Sequence, residues 1–268
     1  MIVVKLGGSV VSDRLHPSTF QDMRLIMKNE KLVIVHGGGK DVTNVASRLG
    51  KEQRFIVSPQ GVRSRYTDKE TIEIYTMVMS GKINKMIVGT LIRNGIKAVG
   101  ISGIDGVTIR ADRKKKLVIV NERGRKMIIE GGYTGKIRSV DPHLIHLLVS
   151  EDYVPVISPI ALGDDCEFLN IDGDRAAAYI AGGVNADKIV FMTDVEGLII
   201  NDQVIPAMTL KRAKELLPTI GFGMEKKVLA CTEALEMGVN ESIIGSGLVE
   251  NPVSACLSHN RCTVITPR

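Results

Sequence analysis

The sequence predicts an α/β fold, a three-layer α/β/α sandwich in which a mainly parallel open sheet lies between two layers of helices. Apolar runs typical of buried strands alternate with segments whose apolar residues recur at helical spacing, and this alternation is the signature of parallel α/β architecture. Glycine-rich turns follow several of the strand-like runs. No internal repeat or low-complexity linker interrupts the alternation, so we expect one layered domain.

The amino-terminal part of the chain alternates strand and helix. Pro17 stands near the start of one predicted helix, and Gly50 stands where another is expected to end. The elements predicted in this part are a strand at 1–8, a helix at 17–30, a strand at 31–39, a helix at 40–50, a long helix or helix pair at 67–95 and a strand at 97–103.

A segment of different character follows. Residues 108–137 contain two short β-rich runs separated by NERGRK, which predicts a hairpin flanked by basic residues. The elements predicted after it are helices at 141–152, 172–184, 208–220 and 223–238, strands at 154–160, 187–194 and 241–246, and a small hairpin at 197–205. The last of these strands is expected to close the fold.

Composition bounds the function. Hydrophobic residues make up 44% of the chain and charged residues 24%, as in ordinary globular proteins. No apolar run nears the roughly 18 residues that a membrane-spanning helix needs, so we expect a cytoplasmic protein without membrane association. The formal net charge of +5 favours an anionic partner, which could be a nucleic acid, a phosphate-bearing metabolite or an acidic protein.

The cysteines and two of the histidines do not predict a metal site. The four cysteines form no C-x-x-C pair and have no neighbouring histidine pattern, so we expect reduced, mostly buried thiols. His143 and His146 lie three residues apart on a predicted helix, but they have no carboxylate partner. The cysteines are Cys166, Cys231, Cys256 and Cys262.

Two glycine turns follow predicted strands, KLGGS at 5–9 and HGGGK at 36–40. A glycine turn that leads into a helix lets backbone N–H groups approach an anion, and the helix dipole adds positive charge there. Neither turn fits the P-loop pattern, because Lys40 is followed by Asp41, and G-x-G-x-x-G is absent. The pair predicts a phosphate site, with two tight structural turns as the alternative.

Three further charged motifs lie at similar positions. They are NIDGD at 170–174, FMTDVEG at 191–197 and GFGMEKKV at 221–228. Each has a structural alternative: Asp174 could cap a helix, Asp194 could stabilise a turn, and the lysines at 226 and 227 could form a solvated face.

Taken together, KLGGS, VHGGGK, SRYTD, NIDGD, TDVEG and GMEKKV resemble the amino acid kinase superfamily, and its acetylglutamate kinase branch in particular. The resemblance covers essentially the whole chain in the family's order. Within that branch, SRYTD at 64–68, GISGIDG at 100–106 and GGYTGKI at 131–137 are most similar to the kinases of LysW-linked aminoadipate or glutamate (the LysZ type). GYTG differs from the pattern usual in arginine-pathway acetylglutamate kinases, and this favours a carrier-linked substrate.

The resemblance implies an ATP-dependent kinase of the amino acid kinase fold that phosphorylates the side-chain carboxylate of carrier-linked 2-aminoadipate, glutamate or both. It implies lysine biosynthesis, with arginine biosynthesis as a second pathway open to the same chemistry. Mg²⁺ is expected to be held mainly by ATP, with no metal site on the protein. The expected partners are an acidic LysW-type carrier protein and a second copy of the chain in a homodimer, but not nucleic acid. Within one domain, residues 1–180 are expected to bind the acyl substrate and 181–268 the nucleotide.

The resemblance also implies roles for individual residues. Lys5 and Lys227 are expected to stabilise the transferring phosphoryl group, while Asp174 orients both lysines. Arg65 is expected to grip the α-carboxylate of the substrate and Asn170 its amide end. The other substrate-binding positions are Gly37, Gly38 and Gly39, and the nucleotide-binding positions are Gly7, Gly8, Thr193, Asp194 and Gly197.

Other functions remain as alternatives. The first is an acetylglutamate kinase acting on free N-acetyl-L-glutamate, and more remote are kinases of uridylate or isopentenyl phosphate. A non-catalytic nucleotide sensor or a basic RNA-binding protein is a third class, but 4% aromatic residues and no Trp disfavour single-strand RNA binding. The choice between aminoadipate and glutamate turns on one methylene, worth about 1–3 kcal/mol.

The predicted basic hairpin is richer in cations than a small metabolite requires. Residues 111–126 and 131–138 carry nine lysines and arginines, among them Lys114, Lys115 and Arg125. We expect these three, together with Arg63, to form a docking surface for the acidic carrier protein. A solvated charged hairpin is the alternative.

Overall fold

The computed structural model describes residues 1–11, 16–59, 61–221 and 223–268, and an eight-stranded sheet forms its centre. The strands are β1 (Ile2–Leu6), β2 (Leu32–His36), β3 (Phe55–Val57), β4 (Arg63–Arg65), β5 (Ala98–Ser102), β6 (Ile109–Arg113), β7 (Lys116–Val120), β8 (Lys126–Glu130), β9 (Gly135–Val140), β10 (Val154–Ser158), β11 (Ile160–Leu162), β12 (Phe168–Asn170), β13 (Lys188–Thr193), β14 (Ile199–Ile200), β15 (Gln203–Val204), β16 (Ala207–Thr209), β17 (Glu241–Ser246) and β18 (Cys262–Thr266).

The helices connect these strands. They are α1 (Gly8–Val11), α2 (Thr19–Ile26), α3 (Gly39–Arg48), α4 (Lys69–Thr76), α5 (Asn84–Arg93), α6 (His143–Ser150), α7 (Gly173–Gly183), α8 (Leu210–Leu216), α9 (Met224–Glu236) and α10 (Pro252–Leu257). A π-helical segment, Met77–Ile83, joins α4 to α5, and short 3₁₀ turns lie at Asp105–Val107 and Leu217–Thr219.

The central sheet has the order β16-β18-β17-β13-β1-β2-β10-β5. Its strands pair in parallel except at the β17–β18 boundary. The prediction of a mainly parallel open sheet is therefore confirmed. A second sheet has the order β12-β11-β6-β9, and three two-stranded ribbons pair β3 with β4, β7 with β8 and β14 with β15.

Each face of the central sheet is covered by its own hydrophobic core. Alternate residues of β1 point to opposite faces, so Val3 belongs to one core, whereas Ile2 and Val4 belong to the other. Helices α6, α7 and α9 pack on the first face, while α5 and α10 pack on the second. Because both faces are covered, all five residues of β1 and of β2 are buried, which explains their continuous apolar runs.

The two predicted lobes share this sheet. Strands from 1–180 form one half of the order and strands from 181–268 form the other, with β1 beside β13 at the junction. The assignment of one half to the acyl substrate and the other to the nucleotide stays a prediction.

The structure also contains elements that the sequence did not indicate. The predicted helical stretch at 67–95 is continuous, but its middle is π-helical. The predicted closing strand, β17, is followed by α10 and β18, and β18 lies antiparallel against β17. Of the four free thiols, three are buried and Cys166 is exposed. Within the ranges given above, no helix has the length and apolar character needed to cross a membrane.

Candidate active site

The two glycine turns lie face to face at the carboxyl ends of adjacent strands. Leu6 of β1 is in register with His36 of β2, so the chain leaves both strands at the same height. A Cβ atom added to Gly8 would lie 2.8 Å from the Gly38 nitrogen, and one added to Gly37 would lie 2.8 Å from the Gly8 nitrogen. Such distances are too short for a side chain, so this close backbone approach requires glycine at both positions.

The last two glycines of the HGGGK turn, Gly38 and Gly39, form the start of α3. Gly38 has φ +155°, and a Cβ there would overlap the Ile83 side chain of the π-helical segment. Gly39 begins α3, and among the described residues a Cβ at that position would have one heavy atom within 4 Å, an Arg65 nitrogen at 3.9 Å. The amino terminus of this ten-residue helix therefore lies beside a guanidinium group, which suits an anionic ligand.

A carboxylate between two lysines lies at the same end of the sheet. Lys5 Nζ is 2.6 Å from Asp174 Oδ1, and Lys227 Nζ is 3.5 Å from Asp174 Oδ2. Lys5 and Asp174 are 5% and 7% exposed. Burial works against the charged carboxylate, but the two ammonium groups outweigh it and hold the pKa of Asp174 below its ordinary value. Two cations share one anion, so the cluster carries a net positive charge that a further anion can neutralise.

The start of α7 sets the position of Asp174. Asp172 is the N-cap, and its Oδ1 accepts hydrogen bonds from the Asp174 and Arg175 nitrogens at 3.0 and 3.1 Å. Asp174 lies in the first turn and is not the cap, so the structural alternative considered for it is wrong. The alanine-rich face of α7 packs on β1 and α9, the two elements that carry the lysines.

A buried histidine–asparagine pair supports the glycine turn, and sequence reasoning missed it. Asn84 Nδ2 donates to the Val156 carbonyl at 2.8 Å and to His36 Nε2 at 3.3 Å. Since Nε2 accepts, His36 Nδ1 is the protonated nitrogen and donates to the Gly37 carbonyl at 3.0 Å. Burial, with the charges of Lys5 and Lys85, lowers the pKa of His36 to about 4 against the opposing effect of that carbonyl. His36 is therefore neutral at neutral pH.

Arg65 contacts α3, and Asn170 is bonded to the segment that follows Arg65. Arg65 Nη2 donates to the Gly39 carbonyl at 2.8 Å and to Thr43 Oγ1 at 2.9 Å, while Nη1 donates to the side-chain oxygen of Gln53. Asn170, at the end of β12, donates through Nδ2 to Thr67 Oγ1 at 2.9 Å. Thr67 is two residues beyond Arg65, so the structure brings both predicted substrate-binding residues to one segment.

Thr193, Asp194 and Gly197 follow the end of β13. Thr193 Oγ1 donates to Asp194 Oδ1 at 3.1 Å. Gly197 has φ +159°, and a Cβ there would overlap Thr263 Oγ1, which accepts a hydrogen bond from the Leu198 nitrogen at 2.8 Å. The turn at Gly197 is thus held closely against β18.

A cleft of about 510 Å³ opens beside this turn. It is bounded by the β14–β15 ribbon, the end of α8 and the start of α9. Its lining is mostly apolar and includes Gly197, Leu198, Ile200, Leu216, Ile220 and Met224. Of the predicted nucleotide-binding residues, only Gly197 lines this cleft. Sequence reasoning missed the other lining residues, because apolar side chains in a sequence are equally well explained as ordinary core.

The predicted basic hairpin forms. Its strands, β7 and β8, pair from Lys116 opposite Glu130 to Val120 opposite Lys126, and β7 lies beside β3. Arg63 in β4 reaches back over the Phe55 ring of β3, with its guanidinium carbon 4.2 Å from the ring centroid. The hairpin and Arg63 therefore belong to one continuous surface.

Most cations of this surface are unpaired. Among the described residues, Lys114, Lys115 and Arg125 form no ion pair, whereas Arg138 pairs with Asp112 at 3.1 Å and with Asp164 at 2.7 Å. Burial and the nearby charges of Arg175 and Lys136 lower the pKa of Lys114. Val118, Met127 and Ile128 are exposed apolar side chains on the same two strands.

In the described part of the chain, no group of three or more His, Cys, Asp or Glu side chains is arranged to hold a metal ion. The carboxyl ends of β1 and β2 instead bring together two ammonium groups, backbone amides and the Asp174 carboxylate. Ammonium groups and amides match phosphate oxygens.

Known proteins resemble this chain both in sequence and in fold. The model of the amino acid kinase family matches residues 1–246. A protein of Nitrosopumilus maritimus described as a putative LysW-aminoadipate/LysW-glutamate kinase is 59% identical over 265 residues, with 99% of each chain covered. A LysW-aminoadipate/LysW-glutamate kinase of Saccharolobus islandicus is 46% identical over 266 residues, again with 99% of each chain covered.

Solved structures share the fold at low sequence identity. The structure of smu.665 from Streptococcus mutans has a TM-score of 0.80 at 22% identity and covers 100% of this chain and 98% of its own. N-acetylglutamate synthase from Neisseria gonorrhoeae has a TM-score of 0.78 at 19% identity, and the match covers 100% of this chain and 59% of the synthase.

Proposed function

Because the chain belongs to the amino acid kinase family, we propose that it is an ATP-dependent kinase that phosphorylates the side-chain carboxylate of 2-aminoadipate or glutamate linked to a LysW-type carrier protein. The observation that carries this proposal is the cluster of Lys5, Asp174 and Lys227 beside the facing glycine turns. Full-length relatives named for this activity, at 46–59% identity, supply the substrate class.

The reaction needs positioning and positive charge. A bond forms between a carboxylate oxygen of the acceptor and the γ-phosphorus of ATP, while the bond from that phosphorus to the β–γ bridging oxygen breaks. The products are an acyl phosphate and ADP. The acceptor carboxylate is already ionised at neutral pH, so no general base and no covalent enzyme intermediate are required. The anionic acceptor carboxylate must approach the anionic phosphates of ATP, and the protein lowers the barrier by positioning and electrostatic stabilisation.

The lysine cluster supplies that charge. We assign Lys5 to the transferring phosphoryl group and Lys227 to the β–γ region of ATP. Asp174 orients both ammonium groups, since it pairs with each of them and is held in its charged form. Because the cluster is buried, its electrostatic interactions are stronger than they would be in water, and its excess positive charge is neutralised when phosphate arrives.

The acceptor lies on the side of α3 in this proposal. Gly37, Gly38 and Gly39 offer backbone N–H groups and the helix amino terminus to the acceptor and the transferring group. Arg65 grips the α-carboxylate with a bidentate geometry that lysine cannot supply. Asn170 hydrogen-bonds the amide end of the substrate. The shared segment of Arg65 and Thr67, to which Asn170 is bonded, supports this grouping.

ATP lies on the side of β13. Gly7 and Gly8 approach its phosphates, and Thr193, Asp194 and Gly197 border the remainder of the nucleotide. We place the adenine ring in the apolar cleft beside Gly197, whose lining suits a flat apolar group. Mg²⁺ would be held mainly by the nucleotide and would supply charge neutralisation to the triphosphate.

The surface formed by Arg63 and the basic hairpin is assigned to the carrier protein. Lys114, Lys115 and Arg125 have no ionic partner among the described residues, so they are available to carboxylates of an acidic partner. Arg63 lies two residues from Arg65 on β4, which places the docking surface next to the acceptor site. Opposite charges across such a surface accelerate encounter and select the partner.

Two further assignments complete the proposal. The enzyme acts in the cytoplasm in lysine biosynthesis, with arginine biosynthesis as a second pathway open to the same chemistry. It forms a homodimer, and the helical segment from α4 to α5 supports this because it exposes Met77, Met86 and Ile92, at 57%, 42% and 57%.

A phosphorylation assay with four acceptors tests the function. We expect the purified protein with ATP and Mg²⁺ to phosphorylate carrier-linked aminoadipate, carrier-linked glutamate or both, with little turnover of free N-acetyl-L-glutamate or isopentenyl phosphate. Preferred turnover of free N-acetyl-L-glutamate would assign the arginine-pathway activity instead. Nucleotide binding without turnover of any acceptor would identify a nucleotide sensor.

Lys5→Ala and Lys227→Ala are each expected to lower kcat by about 10²- to 10³-fold, because each removes charge worth about 2.7–4 kcal/mol to the transition state. Steady-state kinetics measure the loss, and circular dichroism checks that the fold is retained. Lys28→Ala, at an exposed position, is the matched control and should behave like the parent. Near-normal turnover in either site variant would remove that lysine from the mechanism.

Arg65→Ala is expected to raise the KM of the acceptor by roughly 10- to 150-fold, the range for losing a charged hydrogen-bond partner worth about 1.5–3 kcal/mol. The KM of ATP should change little, since Arg65 faces the α3 side of the site. Arg54→Ala, in the same segment but exposed, serves as the control. Equal increases in both KM values would show that Arg65 does not act on the acceptor.

A triple reversal, Lys114→Glu, Lys115→Glu and Arg125→Glu, is expected to lower kcat/KM for the carrier-linked acceptor, most steeply at low ionic strength. Binding of an ATP analogue should stay unchanged. The control reverses three exposed cations elsewhere, Lys28, Arg48 and Lys211, and alters the net charge equally. If both triple variants lose activity to the same extent, the effect comes from net charge, and the hairpin is only a charged surface.

A further inference from the structure

Lys226 connects β4, on the acceptor side of the candidate site, with α7 and α9, which carry Asp174 and Lys227. It lies at the start of α9, next to Lys227, and its Nζ donates to the carbonyl oxygen of Arg63 in β4 at 2.9 Å. The same Nζ is 4.0 Å from Asp172 Oδ2, in the N-cap residue of α7. One ammonium group thus reaches β4, α7 and α9.

The strand that Lys226 holds lies outside the central sheet. β4 pairs with β3 in a two-stranded ribbon, in which Arg65 is opposite Phe55 and Arg63 is opposite Val57. The ladder of the eight-stranded sheet therefore does not fix its position. Two polar contacts hold β4 from neighbouring helices. Arg65 is bonded to α3, and the Arg63 carbonyl accepts a hydrogen bond from Lys226 of α9, the helix that carries Lys227.

The first turn of α9 has no side-chain cap. Gly223 is its N-cap, with φ +89°, and among the described residues a Cβ atom added to Gly221 or Gly223 would find no heavy atom within 4 Å. Met224 packs against the first core, and the polar contacts of Lys226 help to fix the same end of the helix.

We infer that Lys226 is a positioning residue that couples acceptor binding at Arg65 to the placement of Lys227 for phosphoryl transfer. An acceptor bound to Arg65 would fix the position of β4 and therefore of the Arg63 carbonyl. Because this carbonyl accepts the hydrogen bond from Lys226, it would also fix the neighbouring residue, Lys227. Coupling of this kind is reciprocal, so the acceptor tightens nucleotide binding by the factor with which nucleotide tightens acceptor binding. This inference rests on the proposed function for the identity of the two ligands.

The test compares Lys226→Met, which keeps the aliphatic stem, with Lys226→Arg and with Lys211→Met, a control at an exposed lysine of α8. Calorimetry measures the Kd of a non-hydrolysable ATP analogue with and without saturating carrier-linked aminoadipate. In the parent and in Lys211→Met we expect the acceptor to tighten the analogue at least fivefold, the lower end of ordinary allosteric coupling. In Lys226→Met the factor should fall to near one, and Lys226→Arg should restore part of it.

Three outcomes of the calorimetry would overturn the inference. One is an unchanged coupling factor in Lys226→Met. Another is a large loss of analogue affinity in that variant in the absence of acceptor, which would make Lys226 a nucleotide ligand. A parent protein that shows no coupling also overturns it.

Hydrogen exchange separates this inference from the proposed function because it needs no acceptor. Backbone amides of residues 61–66 should exchange faster in Lys226→Met than in the parent and in Lys211→Met. Unchanged exchange would show that Lys226 does not hold β4, even in a protein that phosphorylates the carrier-linked acceptor. Faster exchange in a chain that phosphorylates no carrier-linked acceptor would leave the contact standing and refute the proposed function.

Discussion

The structure depends on one buried carboxylate shared by two lysines. Asp174 can hold Lys5 and Lys227 together only if β1, α7 and α9 meet at one point. Removing the shared carboxylate would leave both ammonium groups without compensation, and the loss of one partner of a buried ion pair costs about 3–5 kcal/mol. The close packing that the alanines of α7 permit, its cap at Asp172 and the location of β1 in the middle of the sheet all serve this meeting. The three groups together carry an excess of one positive charge, which suits the cluster to an anionic ligand.

The facing glycine turns are the second constraint, and they depend on strand register. β1 and β2 are parallel and end at the same height, which brings two backbone segments closer than any Cβ would allow. His36 donates from Nδ1 to the Gly37 carbonyl, and because it stays neutral beside Lys5, its Nε2 can also accept the hydrogen bond from Asn84. A charged imidazole at this place would add a third cation to a buried cluster that already has two. The lowered pKa of His36 is thus part of the same electrostatic arrangement.

Much of the fold and the principal charged residues could be predicted from the sequence because local patterns encode them. The apolar runs of β1 and β2, the glycines that follow them and the charged residues after strand ends are all visible within a few residues. What could not be predicted depends on distant partners. Asn84 contacts His36 and Val156 across many elements, and Lys226 contacts a carbonyl 163 residues away. The apolar lining of the cleft beside Gly197 is indistinguishable in sequence from core, and β18 is not followed by a glycine turn of the kind that marked several other strands.

The π-helical segment between α4 and α5 sets the rotational phase between those two helices. Each residue of an α-helix turns the chain by about 100°, since 3.6 residues make one turn. Regular α-helix through residues 77–83 would therefore orient Asn84 differently relative to the buried face of α4, away from His36. π segments of this kind are rare and frequently lie at functional sites. Deletion of one residue from this segment would favour regular α-helix and would separate Asn84 from His36, which supports the glycine turn. The π-helical geometry thus sets the angular position of the Asn84 amide group.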